Sequence, residues 1–137
     1  MSRIVERLAE LCRHLDHLRE IRPRVTGPEA LRRDLTLHND VLFSLLMVSQ
    51  LVIELASELS ARRGLRFEDY TEAVRNLACF PELPESLVQE LTPLPGFRNV
   101  LIHEYVSLDM ARVVEALDRL QPIGEFAEII RRMEAET

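Results

Sequence analysis

The sequence predicts an all-α fold, an up-and-down bundle of four to five helices, on three observations. Leucine occurs 23 times in 137 residues, against four glycines and seven prolines. That supply of turn residues is too small for an all-β sandwich, which needs a turn about every 8–12 residues. Apolar residues recur at three- and four-residue spacing, the period of a helix with one buried face. Proline, glycine and capping residues fall between the periodic stretches, where helices start and stop.

Ile4, Leu8, Leu11, Leu15 and Leu18 form the first stripe, predicting an amphipathic helix over 1–22 that ends near Pro23. Residues 22–28 hold two prolines and a glycine and read as a loop. A long second helix is expected from Pro28 to Arg63, stopped by Gly64. Its stretch 41–55 is apolar on nearly every side, so it must be covered from several directions, by its own bundle and, in a dimer, by a second subunit as well. A third helix is expected over Glu68–Phe80, carrying Tyr70, Val74 and Leu77, and a short helical turn over 84–91. Thr92 is read as the N-cap of a helix from Pro93 to about Val106. The first four amides of a helix lack internal acceptors, so Pro93 and Pro95 cost no hydrogen bond there. Asp109 caps a last helix through Leu117, and Pro122 or Gly124 separates off a helical tail. The length suits one domain over residues 1–137, built around one core.

Composition bounds the function. Apolar residues make up 47% and charged residues 29%, an ordinary globular balance. All 17 basic residues are arginine, and 23 acids bring the net charge to −6, which speaks against a histone-like duplex binder. The longest uncharged run, 41–53, has 13 residues and falls short of the ~20 that span a bilayer. No membrane association is expected, and the N-terminus lacks the apolar core of a signal peptide. Cys12 and Cys79 read as small buried hydrophobes in a reducing compartment, so the expected location is the cytoplasm.

The chemistry is concentrated in Phe97-Arg98-Asn99-Val100-Leu101-Ile102-His103-Glu104-Tyr105. On one continuous helix Arg98 and Tyr105 share a stripe, and Asn99 and His103 share its neighbour. Arg98 and His103 stand roughly 140° and about 7.5 Å of rise apart, able to flank one groove without touching. Imidazole moves protons near neutral pH, and guanidinium stabilises charge on phosphate oxygens. RNA brings its own nucleophile, the 2′-hydroxyl, so such a pair needs no metal. Cleavage wants both an acid and a base, and a two-fold dimer would supply a second histidine. The same residues also fit a surface ion pair or a structural histidine.

The Arg98-x4-His103-x-Tyr105 pattern within Gly-Phe-Arg-Asn-Val-Leu-Ile-His-Glu-Tyr resembles the signature of HepT-like toxins of the HEPN superfamily. The likeness extends over roughly residues 30–120: the long second helix, the Gly64-Leu65 stop, the Tyr70 helix, the Pro84 loop and the Asp109-led helix occur in the family's order. The resemblance implies a metal-independent endoribonuclease toxin, homodimeric, with a composite site at the subunit interface and no cofactor. It also implies a partner antitoxin, a minimal nucleotidyltransferase encoded next door that attaches adenylate to the motif tyrosine. Carried onto this chain, Arg98 grips the scissile phosphate, His103 shuttles the proton, Asn99 orients, and Tyr105 is the modified position. Pro93 and Pro95 depart from the continuous helix of many relatives, and the first helix has no specific match.

Other constellations are weaker. Glu10, His14 and His17 share a helix face but lack a further ligand cluster, so no metal is expected. His38, beside Asn39 and Asp40, reads as a polar contact at a helix or dimer boundary that could reach the groove. Residues 1–33 carry eight arginines against five acids, a face that could guide RNA or simply be solvated. The acidic remainder could dock a basic antitoxin. Ser44, Ser49 and Ser57 on the long helix have no nearby His-Asp partner in any pattern, and no glycine-rich phosphate loop exists. The alternative to a nuclease is a non-catalytic partner subunit that holds nucleotide phosphate on Arg98. A third reading is an inert helical dimerisation module.

Overall fold

The computed structural model describes residues 3–136, and among them every regular element is helical. Helix α1 (Arg3–Ile21) buries the predicted stripe from Ile4 to Leu18 and adds Ile21; the first two residues assigned to it lie outside the described residues. A 3-10 turn over Arg22–Arg24 follows, with Pro23 at its start.

The expected single helix over 28–63 is two helices, α2 (Pro28–Arg33) and α3 (Leu35–Arg62). The chain leaves helical geometry at Asp34 (φ −108°, ψ 99°), whose carboxylate accepts the Leu37 amide at 3.1 Å. A short polar side chain competes with the helix for backbone donors, so Asp34 caps a new helix instead of continuing the old one. At the other end Gly64 takes φ 69°, the Leu65 amide donates to the Ser60 carbonyl and the Gly64 amide to that of Ala61. That is a Schellman stop, and it falls where the sequence placed it.

Helix α3 buries Leu37, Val41, Leu45, Val48, Val52, Leu55 and Leu59 on one side and Ile53 and Ala56 on others. Helix α1 runs antiparallel along it, joined by Arg7–Glu54, His14–Ser44 and His17–Asp40. By length and composition α3 is apolar enough to cross a membrane, but 61% of its apolar window is buried inside the bundle.

Helix α4 (Tyr70–Arg75) is shorter than the expected 68–80. Residues Asn76–Cys79 tighten into a 3-10 turn while the Asn76 side chain donates to the Arg66 carbonyl at 3.0 Å and the Ser60 hydroxyl at 3.3 Å. Helix α5 (Glu85–Leu91) is followed at once by α6 (Leu94–His103). Thr92 is not the cap of α6: its hydroxyl donates to the Val88 carbonyl at 2.7 Å and closes α5. Pro93 and Pro95 sit at the start of α6, as expected, where no bond is lost. Asp109 caps α7 (Met110–Leu117) by accepting the Ala111 amide, and α8 (Gln121–Ala135) begins with Pro122 in its first turn. Phe126 and Ile130 of α8 are fully buried.

The two cysteines are exposed rather than buried. Cys12 lies between Leu11 and the outward-facing Arg13, off the buried stripe. Partial burial, with Asp16 nearby, pushes its thiol above the ordinary range.

Leu55→Ala, at a site with no exposure, is expected to cost about 3 kcal/mol, because a buried cavity replaces the side chain. Gly64→Ala meets no neighbouring atom, so its cost of about 1 kcal/mol is conformational alone. Urea denaturation of both variants measures the two effects separately.

Candidate active site

Helix α6 crosses α3, and each motif side chain is decided by where it lands relative to that crossing. Arg98 is half-buried. Its Nη1 donates to Gln50 Oε1 on α3 at 3.2 Å, and its guanidinium lies 5.3 Å from the ring centre of Tyr70. Gln50 in turn donates to Glu54 at 3.0 Å, and Glu54 accepts from Arg7 of α1 at 2.8 Å. This relay fixes which end of the Gln50 amide faces Arg98. Arg98 Nε is buried and has no hydrogen-bond partner among the described residues, a state that costs roughly 1–3 kcal/mol for a buried donor.

Tyr70 opens α4, and the cap that places it is reciprocal. Asp69 accepts the Glu72 amide at 2.8 Å, while the Glu72 carboxylate accepts the Glu68 amide at 2.7 Å. Tyr70, Asp69, Pro95, Arg98 and Asn99 line an open recess of about 640 Å³. Asn99 is exposed at its rim.

His103 is the last residue of α6 and is exposed, and its side chain makes no hydrogen bond among the described residues. Ile102 beside it is 45% exposed and Val106 99%. Arg98 and His103 make no contact, as the helical separation predicts.

Tyr105 departs from expectation. The helix does not run to Val106; it ends at His103, because Glu104 takes φ −125°, ψ 32°, and Tyr105–Ser107 form a 3-10 turn. Arg98 and Tyr105 therefore do not share a stripe. Tyr105 swings to the start of α3, where its hydroxyl lies 2.6 Å from His38 Nε2, the two rings edge to face at 5.7 Å. Arg98 meets α3 at Gln50 and Tyr105 meets it at His38, twelve residues or about 18 Å of axial rise apart.

Sequence reasoning missed Gln50 and Tyr70 as the partners of Arg98. It noted that His38 could reach the groove, but not that it pairs with Tyr105. No local signal carries these pairings, since each partner is 28 to 67 residues away from its motif side chain.

The other histidines bridge helices. His14 Nδ1 lies 3.1 Å from Ser44 Oγ and its ring packs on the exposed Phe43, while His17 Nε2 lies 2.7 Å from Asp40. Among the described residues no group of three or more His, Cys, Asp or Glu side chains is arranged to hold a metal. The arginines of the basic N-terminal segment are largely tied into ion pairs, Arg13 with Glu10, Arg19 with Asp16, Arg22 with Asp118 and Arg32 with Glu29. That is a solvated, charge-paired face.

Residues 11–133 match the ribonuclease HepT-like family. The chain belongs to that family. Its fold is similar to that of the tri-AMPylated Shewanella oneidensis HEPN toxin in complex with MNT antitoxin, at TM-score 0.82 and 20% identity, over 96% of this chain and 99% of that one. It is also similar to a chain of a toxin–antitoxin crystallised with AMP-PNP (TM-score 0.80, 19% identity, 94% and 97% covered). A mutant MntA-HpeT toxin–antitoxin matches at TM-score 0.80 and 20% identity, over 96% and 99%. No curated protein sequence matches the chain.

Burial, opposed by Glu10, pushes the His14 imidazole below its ordinary value of 6.5. The unfolded chain then takes up this proton at a higher pH than the folded one, so stability falls as pH drops below about 6.5. His14→Gln is expected to flatten that part of the profile, read from urea midpoints between neutral pH and about pH 5.

Proposed function

We propose that this chain is a metal-independent endoribonuclease toxin that works in the cytoplasm as a homodimer. Its antitoxin is a minimal nucleotidyltransferase that silences it by adenylylating Tyr105. The observation that carries the reading is the contrast between two side chains of one HepT-like motif. Arg98 is anchored on Gln50 and Tyr70 with a buried, unsatisfied Nε, while His103 is exposed and unpaired. One is held like an electrostatic clamp, the other is free to exchange protons.

In the proposed reaction the 2′-hydroxyl of RNA attacks the adjacent phosphorus and the bond to the 5′-oxygen breaks, leaving a cyclic phosphate. His103 carries the proton as acid or base, Arg98 stabilises charge on the phosphoryl oxygens, and Asn99 at the rim orients the strand. The nucleophile is in the substrate, so no metal-bound hydroxide is required. A single chain offers one histidine, and a second copy supplies the other. The exposed Ile102 and Val106 around His103, with Leu35 and Phe43 exposed on α3, support such a contact. Burial of α3 as the core of the bundle is consistent with a chain that stays off membranes. Adenylate on Tyr105, two residues from His103, would place an anionic group where RNA phosphate must enter. The tri-AMPylated state of the similar Shewanella oneidensis toxin supports this.

Purified, unmodified protein is expected to cut total RNA in excess chelator, leaving cyclic phosphate ends. Arg98→Ala and His103→Ala should each lower the rate by about 10²- to 10⁴-fold with circular dichroism unchanged. Binding of nucleotide with no cleavage by a folded dimer would instead favour a non-catalytic partner subunit.

A further inference from the structure

We propose that His38 is the general base that activates Tyr105 for nucleotidyl transfer; this rests on the reading of Tyr105 as the modified residue. His38 Nδ1 lies 3.2 Å from the backbone carbonyl oxygen of Leu31, and Nε2 lies 2.6 Å from the Tyr105 hydroxyl. A carbonyl can only accept, so Nδ1 carries the hydrogen. In the neutral ring Nε2 is then an acceptor, and the phenol donates to it. The nucleophile contacts its base, and the base is oriented from behind by a third group. The orienting carbonyl belongs to the last turn of α2, where helical carbonyls lack an amide from a following turn.

The surroundings fit a group meant to be reached from outside. Tyr105 is 49% exposed on a turn whose next residue, Val106, is 99% exposed. The two rings stand at 87° to each other with centres 5.7 Å apart, and the half-exposed phenol keeps its hydroxyl on the imidazole. An unaided phenol is a weak nucleophile near neutral pH, because its proton leaves only around pH 10. A base already hydrogen-bonded to it removes that barrier.

Tyr105 Oη forms a bond to the α-phosphorus of a nucleoside triphosphate held by the nucleotidyltransferase. The bond from that phosphorus to the α–β bridging oxygen breaks, and pyrophosphate leaves with the electron pair. The phenolic proton passes to His38 Nε2, giving an imidazolium whose Nδ1–H stays on the Leu31 carbonyl, and from there it is released to water.

Two measurements test this. Nitrogen-15 NMR of the histidine rings in the unmodified protein is expected to place the His38 hydrogen on Nδ1; a hydrogen on Nε2 alone would overturn the proposal. The second follows intact mass while the protein is incubated with ATP and the nucleotidyltransferase encoded beside it, with Tyr105→Phe marking the site. His38→Ala and His38→Gln should both gain adenylate about 10²-fold more slowly than the parent. Glutamine offers an acceptor near the position of Nε2 but takes no proton, so it separates a base from a spacer. Added imidazole should restore the rate of His38→Ala. Modification of His38→Gln at the parental rate, or no rescue by imidazole, sinks the role of His38 while leaving Tyr105 as the target. If the parent itself gains nothing on Tyr105, the reading of that tyrosine falls and this proposal with it.

Discussion

The requirement that α3 be covered on nearly every side governs the rest of the molecule. A 28-residue helix with no single polar face cannot rest on a surface. It draws α1 antiparallel along one flank and α4 and α6 onto others. Two local devices set its length and phase: the Asp34 cap at its start and the left-handed Gly64 at its end. Because α6 can only cover α3 by packing across it, residues of α6 are measured off against residues of α3. Gln50 and His38 thereby become the fixed points to which Arg98 and Tyr105 are tied.

The break at Asp34 has a structural consequence that its small size conceals. Had the helix continued, the carbonyl of Leu31 would lie in an uninterrupted backbone ladder and be taken by an amide. Ending α2 there leaves that carbonyl open and lets the His38 side chain reach it. The break at Glu104 does the complementary thing on the other side, turning Tyr105 off the axis of α6 and towards His38. Two helix ends, neither long, create the contact between a phenol and an imidazole 67 residues apart.

The same two breaks separate the motif into two stations along α3. Arg98 sits at the open recess with Tyr70 and Asn99, and Tyr105 sits near the start of α3. His103, at the junction, faces outward between exposed apolar side chains. In the proposed dimer, a second copy would complete the surface around Arg98 and His103.

The sequence alone determined the fold class, the stripe of α1, the Gly64 stop, the Asp109 cap and the harmless prolines of α6, because each is written in local spacing or in one residue's backbone chemistry. It also singled out Arg98, His103 and Tyr105 through the HepT-like pattern, and the family follows from that pattern. It did not yield the split at Asp34, since the apolar period runs on through residues 31–42 and hides a cap in mid-run. It made Thr92 a cap, although its hydroxyl had a carbonyl one turn back to bond, and it placed exposed Cys12 and Cys79 in the core on the strength of apolar neighbours alone. Only tertiary structure decided that Arg98 leans on Gln50 and Tyr70 and that Tyr105 donates to His38. Those pairings depend on how two helices cross, and a crossing is settled by side chains distant in the chain competing to fill the same space.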